Sequence, residues 1–125
     1  METVFYILGI FIIKHLLVDI IWQPQSIAIA KKDSVSILTV HCLMHWAATA
    51  FILSIINLFW FQISPLLLVV IPLIDLASHW VIDYITTRVS KRLDITPEDK
   101  LFWNIHGIDQ TSHYVMYLLI SYLLV

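Results

Sequence analysis

Four long apolar segments, separated by short polar stretches, constrain the fold of this chain more than any other feature. They cover about residues 4–22, 35–60, 66–87 and 101–125 of the 125-residue sequence. Each is long enough to cross the hydrocarbon core of a bilayer, which takes about 20 residues in an α-helix. The sequence therefore predicts an all-α, four-helix transmembrane bundle with short loops, in which residues 1–125 form a single integral membrane domain.

The composition agrees with a membrane protein and excludes several other classes. Apolar residues make up 60% of the chain and charged residues 13%, whereas soluble domains carry about a quarter charged residues. A soluble fold of this size could not bury so much apolar surface. The formal net charge of −2 gives no electrostatic basis for binding nucleic acid. The expected partners are membrane lipids, and a homodimer is compatible with so small a bundle.

The lysines and arginines predict the orientation of the bundle. Six of the seven lie in the first and third loops: Lys31, Lys32, Arg88, Lys91, Arg92 and Lys100. Since loops rich in lysine and arginine stay in the cytoplasm, we expect these two loops to be cytoplasmic and both termini to lie outside the bacterial inner membrane. The seventh basic residue, Lys14, lies inside the first segment.

Every apolar segment carries histidine and aspartate residues spaced four apart. They are His15 and Asp19, His41 and His45, Asp75, His79 and Asp83, and Asp109 and His113. Residues four apart share one face of a helix, and this spacing lets helical bundles and zinc enzymes direct two ligands to one metal ion. An aspartate at the centre of a span costs about 2.5–3.5 kcal/mol, so four such residues in one short chain indicate a function.

The paired residues also lie at one depth. In an up-and-down bundle, the late parts of the first and third segments lie beside the early parts of the second and fourth. At about 1.5 Å per residue, His41 is roughly 10 Å from Ser34, the predicted cap of the second helix. We therefore expect four polar helix faces to form one pocket that opens toward the cytoplasm.

A metal centre accounts best for these residues, because a divalent cation balances buried carboxylates. A set of imidazoles and carboxylates without thiolates suits zinc first, and also manganese or iron. The candidate ligands exceed one coordination sphere, so we expect one or two ions, and two ions sharing a bridging aspartate fit better. The candidates are His15, Asp19, His41, His45, Asp75, His79, Asp83, Asp109 and His113.

Among the candidates, Asp75 and His45 are expected to orient a ligand by hydrogen bonding rather than to bind the ion. His106 fits two interpretations equally well: it orients a ligand in the same way, or it only packs between helices. Two other interpretations remain open. A proton relay is disfavoured because the outer halves of the segments are apolar, and a purely structural polar network because neutral side chains would serve it at lower cost.

The expected function is that of a metal-dependent hydrolase acting from the cytoplasmic side on a phosphate-containing amphipathic substrate, either a lipid or a lipid-linked molecule. Asp19 or Asp83 is the expected general base. Lys14 or Arg88 is expected to hold a phosphate, although Lys14 also suits contact with a buried aspartate or snorkelling to an interface. The alternatives are a metal-ion carrier or sensor, and a non-catalytic phage or bacterial membrane effector with a structural metal site. Whether the chain is an enzyme stays open at this point.

The same motifs resemble a family of small bacterial and phage membrane proteins, domain of unknown function 3307. The resemblance rests on H-L-L-V-D followed by W-Q, a lysine at 31 or 32, and a histidine early in the second segment. It continues with S-H-W-V-I-D-Y in the third segment and with D-Q-T-S-H in the fourth, similar to the D-Q-x-x-H of the family. It covers nearly the whole chain and implies a helical membrane protein, but no particular activity.

Overall fold

Helices account for all the regular structure of the chain, and there is no β-strand. The computed structural model describes residues 1–125. In chain order the helices are α1 (Glu2–His15), a π-helical segment (Leu16–Ile21), α2 (Gln25–Ala30), α3 (Val35–Phe59), α4 (Pro65–Arg92) and α5 (Lys100–Leu124). The predicted all-α class is confirmed, and the four predicted segments correspond to the four long helical stretches.

Two serines fix the starts of α3 and α4. The Ser34 hydroxyl accepts a hydrogen bond from the amide of Ile37 at 3.4 Å, and Ser64 accepts one from the amide of Leu67 at 3.3 Å. Such bonds satisfy amides that the first turn of a helix leaves without partners. The predicted cap at Ser34 is therefore confirmed. Pro72 lies inside α4 and does not interrupt this helix.

The end of the first segment differs from the predicted continuous α-helix. Residues Leu16–Ile21 form a π-helix, and the amide of Trp22 donates to the carbonyl of Leu17, five residues back, at 2.7 Å. The Gln23 side chain donates to the carbonyl of Asp19 at 2.9 Å, which provides a partner for a backbone oxygen at the helix end. Segments of this kind are rare and occur frequently at functional sites.

The loop after the first segment also contains more structure than predicted. After Pro24, which has extended backbone angles, residues Gln25–Ala30 form the short helix α2. This helix packs against α3. The position of α2 determines where the two lysines that follow it lie.

The four long helices form a closed ring. α1 packs against α3 and α5, and α4 also packs against α3 and α5. The connections from α3 to α4 and from α4 to α5 are short, so these neighbours run in opposite directions, as in other up-and-down bundles.

The interior of the ring divides into an apolar half and a polar half. The apolar half contains nine buried side chains: Ile7, Phe11, Leu53, Ile56, Ile63, Ile71, Tyr117, Ile120 and Leu124. The polar half contains the buried histidines and aspartates. Large apolar side chains cover the outward faces of the helices, as expected of helices that face lipid.

Three helical stretches are long and apolar enough to cross a membrane. They are Glu2–Ile21, Val35–Phe59 and Pro65–Arg92. α5 has 25 residues but is not among them, because its first half carries polar residues such as Asn104, His106 and Asp109. A fourth span, and the orientation with both termini outside, therefore stay predictions.

Candidate metal centre

Polar side chains from every long helix converge in the polar half of the bundle. Eight lysine, histidine and aspartate side chains are at most 2% exposed: Lys14, His15, His41, His45, Asp75, His79, Asp83 and His113. The side chains of Asp19 and Asp109 lie at the edge of this group and are 12% and 14% exposed. The nine predicted ligands therefore lie in the same half of the interior of the bundle.

The first group of possible ligands, which we call the four-ligand set, comprises Asp19, His41, His45 and His79. One ligand atom from each lies within 4.8 Å of the others. Nε2 of His41 and Nε2 of His45 lie 3.1 and 4.0 Å from Oδ1 of Asp19. Ligands bound to one tetrahedral zinc ion lie about 3.3 Å apart, given the usual bond lengths. The four-ligand set is thus compact enough to hold one ion.

The same four side chains lack hydrogen-bond partners. Both ring nitrogens of His41, His45 and His79, together with Oδ1 of Asp19, are buried without a hydrogen bond. Nε2 of His41 is close to Asp19 but is not oriented for a hydrogen bond. A buried polar atom without a partner costs about 1–3 kcal/mol, and native proteins leave few of them. A cation bound here would satisfy one nitrogen of each ring and the Asp19 oxygen together.

A second group, which we call the three-ligand set, comprises Asp83, Asp109 and His113. Nε2 of His113 is hydrogen-bonded to Oδ1 of Asp83 at 3.1 Å and lies 3.9 Å from Oδ2 of Asp109. The hydroxyl of Thr86 donates to Oδ1 of Asp109 at 2.6 Å. Unlike the four-ligand set, this set is satisfied by protein groups.

Stacked imidazoles connect the two sets. The ring of His79 lies between those of His45 and His113, with centroid distances of 3.7 and 4.0 Å. Two charged imidazoles would repel each other at these distances. The column therefore favours neutral rings, which is the form in which histidine binds metal.

His15 is held by the protein rather than left free. Its Nδ1 is 3.0 Å from the hydroxyl of Tyr117, and its Nε2 is 3.1 Å from Oε1 of Gln110. A ligand atom of His15 also lies close to His79 and His113. His15 thus belongs to the cluster, and its predicted role as a metal ligand stays a prediction.

Lys14 and Asp75 lie apart from both sets. Nζ of Lys14 donates to Oδ2 of Asp75 at 2.7 Å, and the hydroxyl of Thr49 donates to the same oxygen at 2.5 Å. The ammonium group also lies over the ring of Tyr117, 4.6 Å from its centroid. Of the roles predicted for Lys14, contact with a buried aspartate is the one that this geometry matches. Asp75 belongs to neither ligand set.

A cavity of about 640 Å³ opens beside the two ligand sets. Three carboxylates of the sets line it: Asp19, Asp83 and Asp109. Lysines and polar side chains line the remaining wall, among them Lys31, Lys32, Gln23, Gln25, Thr87, Ser90 and His106, and the apolar residues Ile20, Phe102 and Ile105 complete it. The cavity therefore combines cations, carboxylates and an apolar rim.

Lys31 lies between the two sets. Its Nζ is 2.9 Å from Oδ2 of Asp83 and 3.7 Å from Oδ1 of Asp19. Burial acts to lower the pKa of Lys31, but the charges of Asp83 and Asp19 outweigh it and raise the pKa above its ordinary value. Lys31 therefore carries a positive charge next to both carboxylates.

Two further predicted candidates lie outside the ligand sets. Arg88 donates to the carbonyl of Lys32 and lies over the ring of Tyr84, and it does not line the cavity. His106 lines the cavity without belonging to a ligand group.

Several residues of the site were not among the predicted ones. Thr49 follows His45 by four residues and Tyr117 follows His113 by four, so the spacing that identified the histidines extends to both. Gln110 adjoins Asp109 in the sequence. Lys31 is one of the two lysines that fit the family resemblance, but no spacing placed it beside the ligand sets, because its position depends on how α2 packs.

One of three comparisons with known proteins identifies a family. No curated protein matches the chain, and no solved structure does either. A family model described as a protein of unknown function, DUF3307, matches residues 7–125. Because this match covers nearly the whole chain, the protein belongs to the DUF3307 family.

Proposed function

We propose that this protein is a membrane-embedded, metal-dependent hydrolase whose first ion is bound by Asp19, His41, His45 and His79. One observation carries the proposal: in the four-ligand set, whose ligand atoms are close enough to share an ion, Oδ1 of Asp19 and all six imidazole nitrogens are buried without hydrogen-bond partners. The donor atoms, imidazole nitrogens and a carboxylate oxygen, favour zinc, with manganese or iron as the other suitable metals.

The charge of the polar half supports a divalent ion. Four aspartates and two lysines, Lys14 and Lys31, leave a net charge of −2 when the imidazoles are neutral. Lys14 already compensates Asp75, so the remaining negative charge lies on the two ligand sets. Uncompensated charge is costly inside a protein, and one divalent cation would balance it.

The cavity supports a phosphate-containing amphipathic substrate. Lys31 and Lys32 on its wall suit an anionic phosphate, whereas Ile20, Phe102 and Ile105 suit an acyl or isoprenoid chain. Its location beside the lysine-rich loop also agrees with entry from the predicted cytoplasmic side. A lipid phosphate or a lipid-linked phosphate meets these requirements.

The bound ion and the aspartates would have different roles in hydrolysis. A bound divalent ion supplies Lewis-acid chemistry, which activates water and polarises a phosphoryl oxygen. Both oxygens of Asp83 are engaged by His113 and Lys31, so Asp19, through Oδ2, is the better general base. In the reaction a water oxygen bonds to the terminal phosphorus, and the bond from that phosphorus to the oxygen of the leaving group breaks. The leaving group is the lipid alcohol of a lipid phosphate or the lipid monophosphate of a lipid diphosphate, and the proton lost by the water passes through Asp19 to its released oxygen.

The apolar half of the bundle argues against a carrier. A carrier needs polar groups on both sides of its binding site. Beyond the ligand sets, the buried polar side chains are Lys14, Asp75 and Thr49, which bond to one another, and Ser121, which bonds within its own helix. The other buried side chains there, such as Phe11, Leu53 and Ile71, are apolar. The site therefore opens toward one side, which suits an enzyme.

The first test measures metal content. Wild-type protein purified in detergent without chelators is expected to contain at least one equivalent of zinc or manganese by elemental analysis. The double variant His41→Ala, His79→Ala is expected to lose it, whereas His106→Ala, a histidine outside every ligand group, is expected to keep it. Wild-type protein without metal would overturn the proposal.

The second test measures activity. Micelles containing phosphatidic acid or an isoprenoid-lipid diphosphate are incubated with the protein, and released inorganic phosphate is measured. We expect release by the wild type, and a loss of about 100-fold in Asp19→Asn, as for removal of a general base, with both proteins assayed in excess Zn²⁺ because Asp19 is also a ligand of the four-ligand set. A metal-loaded protein that releases no phosphate from either micelle would favour a structural metal.

A further inference from the structure

We infer that Asp83, Asp109 and His113 form a second, weaker divalent-cation site, and that Lys31 is a built-in counter-cation which the second ion displaces. This inference rests on the proposed function, since it assumes that the four-ligand set takes the first ion. It assigns separate tasks to two neighbouring groups of side chains.

The geometry of the three-ligand set carries the first step. Its ligand atoms lie within 4.8 Å of one another, and Asp83 is buried in the interior. The unpartnered Nε2 of His79 lies 3.9 Å from Oδ1 of Asp83. A buried nitrogen without a hydrogen bond thus lies beside this set as well, and the cluster is not merely a group of acids.

The two sets differ in the number of ligands and in their access to solvent. The four-ligand set has enough protein ligands to complete a tetrahedral shell, as structural zinc sites do. The three-ligand set has one fewer, and both of its aspartates line the cavity. Three protein ligands with an open position are typical of catalytic sites. The three-ligand set is therefore where an ion would meet an oxygen of the substrate.

The position of Lys31 explains how the carboxylates of the three-ligand set are compensated when no ion is bound there. Its ammonium group contacts Asp83 at 2.9 Å and compensates one of the two aspartate charges. Lys31 follows the last residue of the short helix α2 and already lines the cavity, so its ammonium group would still face the cavity after leaving Asp83. In that position its ammonium group would face the phosphate of a substrate. Lys31 would then exchange the Asp83 carboxylate for the substrate phosphate as its anionic partner.

The order of binding follows from these partners. An ion entering the four-ligand set replaces no hydrogen bond of the imidazoles, because they have none. An ion entering the three-ligand set must displace Lys31 and the hydrogen bond between His113 and Asp83. The first ion is therefore bound more tightly than the second.

Calorimetric titration of the metal-stripped protein with Zn²⁺ in detergent tests the inference. The wild type is expected to show two classes of site, the second weaker. Asp109→Asn is expected to lose the second class and keep the first. Lys31→Met is expected to tighten the second class by about tenfold or more, because one competing positive charge is removed beside Asp83. Lys91→Met, whose lysine pairs with Asp33 outside the cavity, is the matched control and should change neither class.

The outcomes separate this inference from the proposed function. Wild-type protein that binds no Zn²⁺ contradicts both. A single class of site that survives Asp109→Asn contradicts only the second site. An unchanged or weaker second class in Lys31→Met contradicts the role of Lys31, whereas a gain in affinity cannot result from misfolding of the variant.

Discussion

The imidazole rings of His45 and His79 stack across the interface of α3 and α4 with their centroids 3.7 Å apart, and none of their four nitrogens has a hydrogen-bond partner. Two neutral rings pack favourably in this way, but the missing hydrogen bonds carry a cost. Because the cost falls on ligand atoms of the four-ligand set, metal binding and stability of the bundle are expected to be linked.

Removal of metal is therefore expected to lower the thermal stability of the protein. A ligand present at 100 times its dissociation constant stabilises the native state by about 2.7 kcal/mol, so EDTA should lower the unfolding midpoint measurably in detergent. Circular dichroism on heating provides the measurement. The double variant His41→Ala, His45→Ala serves as the control and should be insensitive to EDTA. An equal effect of EDTA on both proteins would contradict the linkage.

The buried pair of Lys14 and Asp75 is expected to stabilise the bundle without holding metal. Lys14→Met leaves the Asp75 carboxylate buried without its charged partner, and such a change typically costs about 3–5 kcal/mol. The double variant Lys14→Met, Asp75→Asn should be more stable than Lys14→Met alone, because the uncompensated charge is gone. Unfolding in detergent measures the stability.

Metal content distinguishes this role from the predicted role of Asp75 near the ion. All three variants of the Lys14–Asp75 cycle (each single change and the double) are expected to retain the metal of the wild type. A loss of metal in Asp75→Asn at unchanged stability would instead place Asp75 in the ligand set. Additive effects of the two substitutions would show that the ion pair contributes no coupling energy.

The number of spans is expected to be four, with both termini outside. Reporter fusions that are active on only one side of the membrane, attached at each terminus, should report the same side. A fusion in the loop after α4, at Glu98, should report the opposite side, since Arg88, Lys91 and Arg92 lie at the end of α4 next to this loop. Termini on opposite sides would mean that α5 does not cross the membrane.

The helix periodicity was sufficient to predict which faces meet. The pairs four residues apart lie on single faces, and short loops bring those faces to one depth, so the convergence of His41, His79 and His113 follows from local rules. The cap at Ser34 follows from local rules as well. These features depend on neighbours within one helix turn.

The role of each polar residue could not be predicted in the same way. Asp75 and Asp83 are each four residues from His79, on opposite sides of it in the sequence, and the pattern treats them alike. The structure distinguishes them because Lys14 of α1 lies at the level of Asp75, whereas Lys31 lies at the level of Asp83. That difference arises from the relative heights of separate helices.

The π-helical segment and α2 depend on similar long-range relationships. The sequence predicts a helix that ends before Pro24, but the wider turn brings Asp19 to within 3.1 Å of His41 on another helix. In the sequence, Lys31 indicated orientation and was one of two lysines that fit the family resemblance, whereas its contact with Asp83 results from the packing of α2 on α3. Tertiary packing, rather than local propensity, determines both.

The polar first half of α5 has a consequence for biogenesis. Asp109, Gln110 and His113 find their partners on other helices, in Thr86, His15 and Asp83. In a bilayer, α5 by itself would expose these groups to lipid, which is unfavourable. A fourth span formed by α5 would therefore need the other helices in place for its integration. A defect at Thr86 or Asp83 would accordingly appear in the cell as failed integration and degradation of the newly made chain.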